Sequence, residues 1–304
     1  MSSAPQVLAT GRGVLARAWP PSWPRRRHDF ELAWAAAFLV PYAAVFLAFV
    51  VYPTAYGLWM ARDPSLYRDL MASPLYVRTV VNTLLYVGLA VNVKMFLALL
   101  LSGFFMRRRW WITALLPIFI LPWALPAIPA FVSFHWMLIG EEGLVNGLLS
   151  ALLGVEGPLW FNDRLLALGA DIVAHIWKWM PFWTLTFLAA RLAIPQDIHE
   201  AAAVDGATGF RRFAHVILPL LGNLYLVCTL LATLWTVGDF TTVSLVSGGA
   251  PSYSTDVLAT LGIHYAFEAA QPALGVAAVM SALPLLIPIT IVLMRALQTR
   301  EVQL

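Results

Sequence analysis

The chain has 304 residues, 61% of them hydrophobic and only 12% charged, with a formal net charge of +3. That balance, with a mean hydropathy of +0.77, excludes an ordinary soluble globular domain and points to a bilayer environment. The slight basic excess comes from arginines at the margins of apolar runs, so it argues for membrane orientation and against nucleic-acid binding.

Residues 1–28 are rich in proline and arginine and show no periodicity, so a disordered basic cytoplasmic arm is expected there. The arm has no apolar core followed by a cleavage site, so the first apolar run is expected to stay as an anchor. From residue 29 to 304 the sequence predicts one transmembrane domain. Its apolar runs are Leu32–Met60, Thr79–Met106, Ile112–Ile139, Leu165–Ala190, Val216–Val237 and Pro272–Leu297. Each reaches the roughly 20 residues that cross a bilayer as a helix. An all-α integral membrane protein with six transmembrane helices is predicted, since the short alternating segments of a membrane barrel are absent.

Arginines set the orientation. Arg12, Arg17, Arg25 to Arg27, Arg107 to Arg109, Arg191, Arg211, Arg212, Arg295 and Arg300 fall on one side; Arg62, Arg68, Arg78 and Arg164 fall on the other. The positive-inside rule places the first group, and with it both termini, in the cytoplasm. Arg25 to Arg27 and Arg107 to Arg109 can also be read as patches for anionic lipid, but their role as topology determinants explains them just as well and is the preferred reading. The outer loops are then Gly140–Arg164 and Gly238–Gln271, and the second of these holds no lysine or arginine.

Polar residues inside the spans are the candidates for function, because charge is costly in lipid unless it faces protein or water. Lys94 lies centrally in the second run and is read as an assembly contact that pairs with Asp239 or Asp171. Asp171 and His175, one turn apart, are read as an interhelical pair. Lys178 stands between Trp177 and Trp179, just before Pro181, whose ring is expected to open the helix. Tryptophan faces suit the C–H face of a sugar and an ammonium suits its hydroxyls, whereas an interfacial aromatic belt with a snorkelling lysine is the alternative. Thr236 and Asp239 follow at helical spacing near the end of the fifth run.

Between the fourth and fifth runs lies Ile194 to Leu221, IPQDIHEAAAVDGATGFRRFAHVILPLL. Pro195 can open a helix, Gln196 to Val204 tolerate one, Gly206 allows a left-handed exit, and Thr208 is a candidate N-cap for a second helix. Three alanines beside Glu200 form a thin ridge with one charge, shaped for another protein's cleft or for rest on lipid headgroups. Cys228 is the lone cysteine, which excludes an intrachain disulfide and a cysteine metal cluster. The lysines lack the Gly-rich phosphate-loop context, and no hydrolase motif or metal-ligand cluster occurs. Enzymatic activity, metal and cofactors are therefore not expected in this chain.

The order Glu200-Ala201-Ala202, Asp205-Gly206, Val216 and Leu218-Pro219 resembles the E-A-A…G…I-x-L-P loop of binding-protein-dependent ABC importer permeases. Asn82-Thr83-Leu84, Leu121-Pro122-Trp123, Gly143-Leu144-Val145-Asn146 and Ser247-Gly248-Gly249-Ala250-Pro251 are similar to other stretches of the branch for sugars, polyols and glycerol phosphate. The resemblance runs from about Leu66 to the C-terminus. It implies the type I permease fold, with residues 195–219 as a cytoplasmic helical coupling loop. Glu200, Ala201, Ala202, Asp205, Gly206, Leu218 and Pro219 would be the coupling residues.

It also implies partners: a second homologous permease subunit, two cytoplasmic ATPases that carry ATP and magnesium, and an extracytoplasmic solute-binding protein. Trp123, Lys178, Trp179, Thr236 and Asp239 fall where such permeases contact a sugar; Ala232 falls there too but has no polar group. The expected function is ATP-driven import of a carbohydrate or polyol across the cytoplasmic (inner) membrane. Import of another small solute such as a polyamine, an ATPase-independent secondary transporter and a non-transporting scaffold are the alternatives.

Overall fold

The computed structural model describes residues 25–107 and 109–301, with side chains placed from 33 to 107 and from 109 to 298. The arm expected over residues 1–28 lies outside the described residues as far as residue 24. Helix begins at Arg25, inside the boundary that the sequence suggested. All regular elements among the described residues are helical.

The chain divides into one unit ending at Tyr56 and a second starting at Gly57. The first contains α1 (Arg25–Phe46), a π-helical turn (Leu47–Val51) and the start of α2 (Tyr52–Met60). The wide turn precedes Pro53. A proline has no N–H for the carbonyl four residues back, and here Tyr52 N–H closes instead on Leu47 O. The stretch Ala33–Met60 is one span-length apolar helical run, as expected from the first apolar segment.

The second unit opens with α3 (Pro64–Ala72), capped by Asp63, which accepts from Ser65 N–H at 2.9 Å. Then come α4 (Pro74–Phe105), α5 (Trp110–Ala124), α6 (Ala127–Leu138), α7 (Leu144–Leu153) and α8 (Arg164–Leu192). α9 (Gln196–Val204) and α10 (Gly209–Arg212) lead through a second π turn, Phe213–Ile217, into α11 (Leu218–Val237). The rest is α12 (Phe240–Val246), α13 (Leu258–Ile263), a third π turn (His264–Glu268), α14 (Pro272–Met280) and α15 (Leu283–Glu301).

The core is the pairing of α4 with α8, joined by α11. Ala90 and Ala98 of α4 and Ala167 and Ala174 of α8 are fully buried. Small residues let two helix backbones approach closely, which is how spans hold together where lipid is as apolar as leucine. Tyr86, Met95, Leu99, Trp183, Phe187 and Cys228 fill the space around them.

Two expectations about the spans are corrected. The third run, Ile112–Ile139, is not one helix: α5 and α6 meet at 95° around Leu125 and Pro126. Pro126 cannot donate a helical hydrogen bond and pushes Leu125 into an extended conformation (φ −66°, ψ 146°). Conversely, Pro181 does not open α8, which runs unbroken for 29 residues. On either side of the proline, Phe187 is buried in the main core and Ala174 in a second cluster with Phe131 and Val246, so packing holds both halves of the helix.

The stretch after α11 is not an open loop. Asn82 of α4 donates to the carbonyls of Ser254 (2.7 Å) and Asp256 (2.9 Å), while Arg164 donates to the Asn82 side-chain oxygen. Asp171 accepts from Ser247 N–H and hydroxyl, and Thr83 from Leu258 N–H. Burial pushes the Asp256 carboxyl up to about 6; one of its oxygens has no hydrogen-bond partner and the other accepts from Thr260.

Candidate functional site

Polar side chains from four helical elements converge between α4, α8 and α11. Tyr86 and Lys94 are eight residues apart on one face of α4; His175 and Trp179 are four apart on α8; Thr236 ends α11 and Asp239 caps α12. His175 Nδ1 lies 2.7 Å from Asp239 Oδ2, and His175 Nε2 lies 2.9 Å from Lys94 Nζ. An ammonium can only donate, so Nε2 accepts, and the imidazole proton sits on Nδ1 facing the carboxylate. Tyr86 donates to the same carboxylate oxygen at 2.8 Å, the Thr242 hydroxyl donates to it as well, and Thr242 N–H donates to Oδ1 at 3.1 Å. Lys94 also reaches Thr236 Oγ1 at 3.4 Å.

Lys94 and His175 are each only 2% exposed, yet both charges of the Lys94–His175–Asp239 chain are matched. A pocket of about 220 Å³ opens beside it, walled by Trp179 and Trp235 and floored by Lys94, His175, Thr236 and Asp239. Two indoles and a line of donors and acceptors suit a ligand that carries both apolar surface and hydroxyls.

Lys178 points elsewhere. Its ammonium donates to the carbonyl of Pro122 at 2.7 Å, to that of Trp123 at 3.4 Å and to that of Leu125. These are the orphan carbonyls left where α5 stops, which need a donor at that depth. Trp123 is 40% exposed and leans on Phe182 with ring centroids 5.8 Å apart. Trp179, Thr236 and Asp239 are therefore brought together, whereas Lys178 and Trp123 lie at the break between α5 and α6.

The residues that sequence reasoning did not place in the pocket are Lys94, His175 and Trp235, with Tyr86 buried behind them on Asp239. Lys94 was expected to pair with Asp239 or Asp171; it reaches Asp239 through His175. Asp171 bonds Ser247 and is not paired with His175. The signal available was the four-residue spacing that runs through Tyr86, Ala90 and Lys94 and through Asp171, His175 and Trp179.

The second candidate site is the segment between α8 and α11. Pro195 is the N-cap of α9, and α9 ends into Gly206 at φ +72°, where a side chain would be strained. Thr208 precedes α10 in extended geometry but makes no side-chain cap. Ala202 is buried, while Glu200, Ala201, Ala203 and Asp205 are exposed. Gln196 holds the Glu200 carboxylate at 2.8 Å. Val204 and Phe210 are 88% and 80% exposed, so the segment presents apolar surface alongside the exposed carboxylates of Asp197, Glu200 and Asp205. Leu218 and Pro219 lie beyond the π turn, in the first turn of α11.

Span-length helices, a polar pocket between them and a separate exposed helical segment define a multi-pass helical membrane protein of the transport class. The model for the binding-protein-dependent transport system inner membrane component matches residues 94–302, and the chain belongs to that family. It is 31% identical over 248 residues to the trehalose/maltose transport system permease protein MalF of Thermococcus litoralis, covering 75% of this chain and 81% of that protein. It is also 31% identical over 256 residues to the sulfoquinovosyl glycerol transport system permease protein SmoG of Agrobacterium fabrum, covering 79% and 82%. Its fold matches a chain of a bacterial ABC transporter that imports the acidic polysaccharide alginate, with a TM-score of 0.78 at 22% identity over 91% of this chain and 99% of that one.

Proposed function

We propose that this chain is one of two membrane subunits of an ATP-driven importer of a carbohydrate or polyol in the cytoplasmic membrane, with both termini cytoplasmic. A homologous permease subunit, two ATPases and an extracytoplasmic solute-binding protein complete the assembly. ATP and magnesium are held by the ATPases, so this chain is not itself an enzyme. The exposed segment around Glu200 docks the ATPase, and its rigid-body motion alternates access to the pocket.

The observation that carries the substrate class is the pocket between Trp179 and Trp235 with its floor of matched polar groups. The names of the sugar-linked relatives support the same class. A polyamine fits less well, because the Lys94 ammonium already stands in the pocket as the counter-charge of Asp239 and would repel a second cation. Lys178 serves the pathway indirectly, by holding the broken third span through the carbonyls of Pro122, Trp123 and Leu125.

Reconstitution with the three partners tests the reading. ATP-dependent uptake of a labelled disaccharide or polyol is expected, and uptake by this chain alone on an ion gradient would overturn it. Orientation is tested with cysteines at the exposed positions Thr208 and Ser252 in a Cys228→Ala background. Impermeant reagents should reach them from opposite sides; labelling from one side refutes the arrangement.

A further inference from the structure

A second cavity lies apart from the pocket between Trp179 and Trp235. It is a cleft of about 700 Å³ where α4 and α8 end and α9 and α10 lie across them. Arg107, Arg191, His199 and Arg212 line it, and no aspartate or glutamate does among the described residues.

Arg191 is the informative member. It is only 6% exposed, and its Nε has no hydrogen-bond partner. One Nη donates to Leu99 O at 2.9 Å, and the guanidinium carbon sits 5.6 Å from the centre of the Phe213 ring. The guanidinium also rests on Gly103, where an added Cβ would come within 3.2 Å of Nη1. The arginine is thus seated with one carbonyl and one ring as company, and no carboxylate. Both ring nitrogens of His199 are likewise buried without a partner. A buried guanidinium without a counter-charge is costly, and its fork of donors matches a phosphate or carboxylate. Arg107 and Arg212, both exposed, stand at the rim with the same sign of charge.

We propose that this cleft binds a phosphate-bearing anion, with Arg191 as the seat, His199 as a second donor, and Arg107 and Arg212 as the rim. The anion is either the headgroup of an acidic phospholipid or a soluble phosphate. The cleft is walled both by the ends of α4 and α8 and by the α9–α10 segment. An occupant therefore ties that segment to the helix bundle, and its presence affects how firmly the two move together.

The test uses the whole chain, purified in detergent for one arm and placed in phosphatidylcholine nanodiscs for the other. In the first arm, phosphatidylglycerol is titrated and bound lipid is counted by native mass spectrometry. In the second, inorganic phosphate is titrated and followed by calorimetry. The wild type should bind one equivalent in one of the arms: the first identifies a lipid headgroup, the second a soluble phosphate. Binding should fall at least about tenfold in Arg191→Gln and in the double variant Arg107→Gln/Arg212→Gln, whose exposed positions spare the fold. Arg191→Lys, which keeps charge but loses the fork, should fall between. Equal binding by the wild type and the rim variant, or binding in neither arm, overturns the proposal.

Discussion

Lys178 of α8 closes the open end of α5, its ammonium donating to the carbonyl of Pro122 at 2.7 Å across the angle of the broken third span. One buried charge thereby makes a sharp bend tolerable in an apolar setting. We predict that Lys178→Met leaves the Pro122, Trp123 and Leu125 carbonyls without a donor and costs about 1–3 kcal/mol for each group left unsatisfied. The melting temperature in detergent should drop, and Lys178→Arg should recover part of it. An unchanged melting temperature in the methionine variant would show that the bend holds without its donor.

The Lys94–His175–Asp239 chain should behave as one coupled unit. Removing Asp239 as Asn strands a buried positive charge, and removing Lys94 as Met strands a negative one. Each loss is expected to destabilise by about 3–5 kcal/mol. The double variant should then cost less than the two single losses added together. Additive losses in detergent melting experiments would mean that His175 does not transmit the pairing.

Uptake should depend on the pocket more than on the bend. Trp179→Ala and Thr236→Val are expected to raise the solute concentration at half-maximal uptake by about tenfold, the equivalent of about 1.4 kcal/mol. ATP hydrolysis without solute should be unaltered. Unchanged uptake kinetics in both variants would remove the pocket from the pathway.

Coupling should fail without loss of insertion in Glu200→Ala, Gly206→Val and Phe210→Ser. The valine must take φ +72°, at a cost of about 1–2 kcal/mol, and the serine removes a ring that is 80% exposed. Copurification of the ATPase, or ATP-dependent uptake, should drop by about an order of magnitude. Wild-type behaviour of all three would place docking elsewhere.

The segment around Asp256 should be firmer in mild acid. Its carboxyl is raised from 3.8 to about 6 chiefly by burial, so the neutral form is favoured in the fold. That contribution is fully present below the unfolded value and is lost as pH rises through about 6. At about 1.4 kcal/mol per pKa unit, its upper bound is about 3 kcal/mol. Melting should be higher at pH 5 than at pH 7.5 in the wild type, and Asp256→Asn should flatten the difference. The same pH profile in both proteins would assign the effect to another group.

Most span positions were legible because each run reaches the length a bilayer needs: among the described residues four helices are long and apolar enough to cross, five with the broken third run, and α8 is not among them. The α9 segment was legible because Pro195 and Gly206 act locally, through φ and a missing N–H. The bend at Pro126 was not. Pro117, Pro122 and Pro129 stand nearby, and the place where the chain turns depends on a donor from α8 far along the sequence. The polar chain was hidden for the same reason: Tyr86 and Asp239 meet across 153 residues, and helix packing alone turns those faces together. The exposed apolar surface of Val204 and Phe210 was also hidden, since an apolar residue in such a sequence does not say whether lipid or protein will cover it.

On the pathway proposed above, Asp239 sets how a solute would be held in the pocket. Its Oδ2 is already taken by His175, Tyr86 and the Thr242 hydroxyl, so a hydroxyl arriving at that oxygen must displace an internal bond to gain its own. Such an exchange nets little, because each hydrogen bond made is offset by one broken. Affinity there is capped by the protein's own satisfied groups, and weak binding shows itself mainly as fast departure. A resting place built this way delays its passenger briefly and then lets it go.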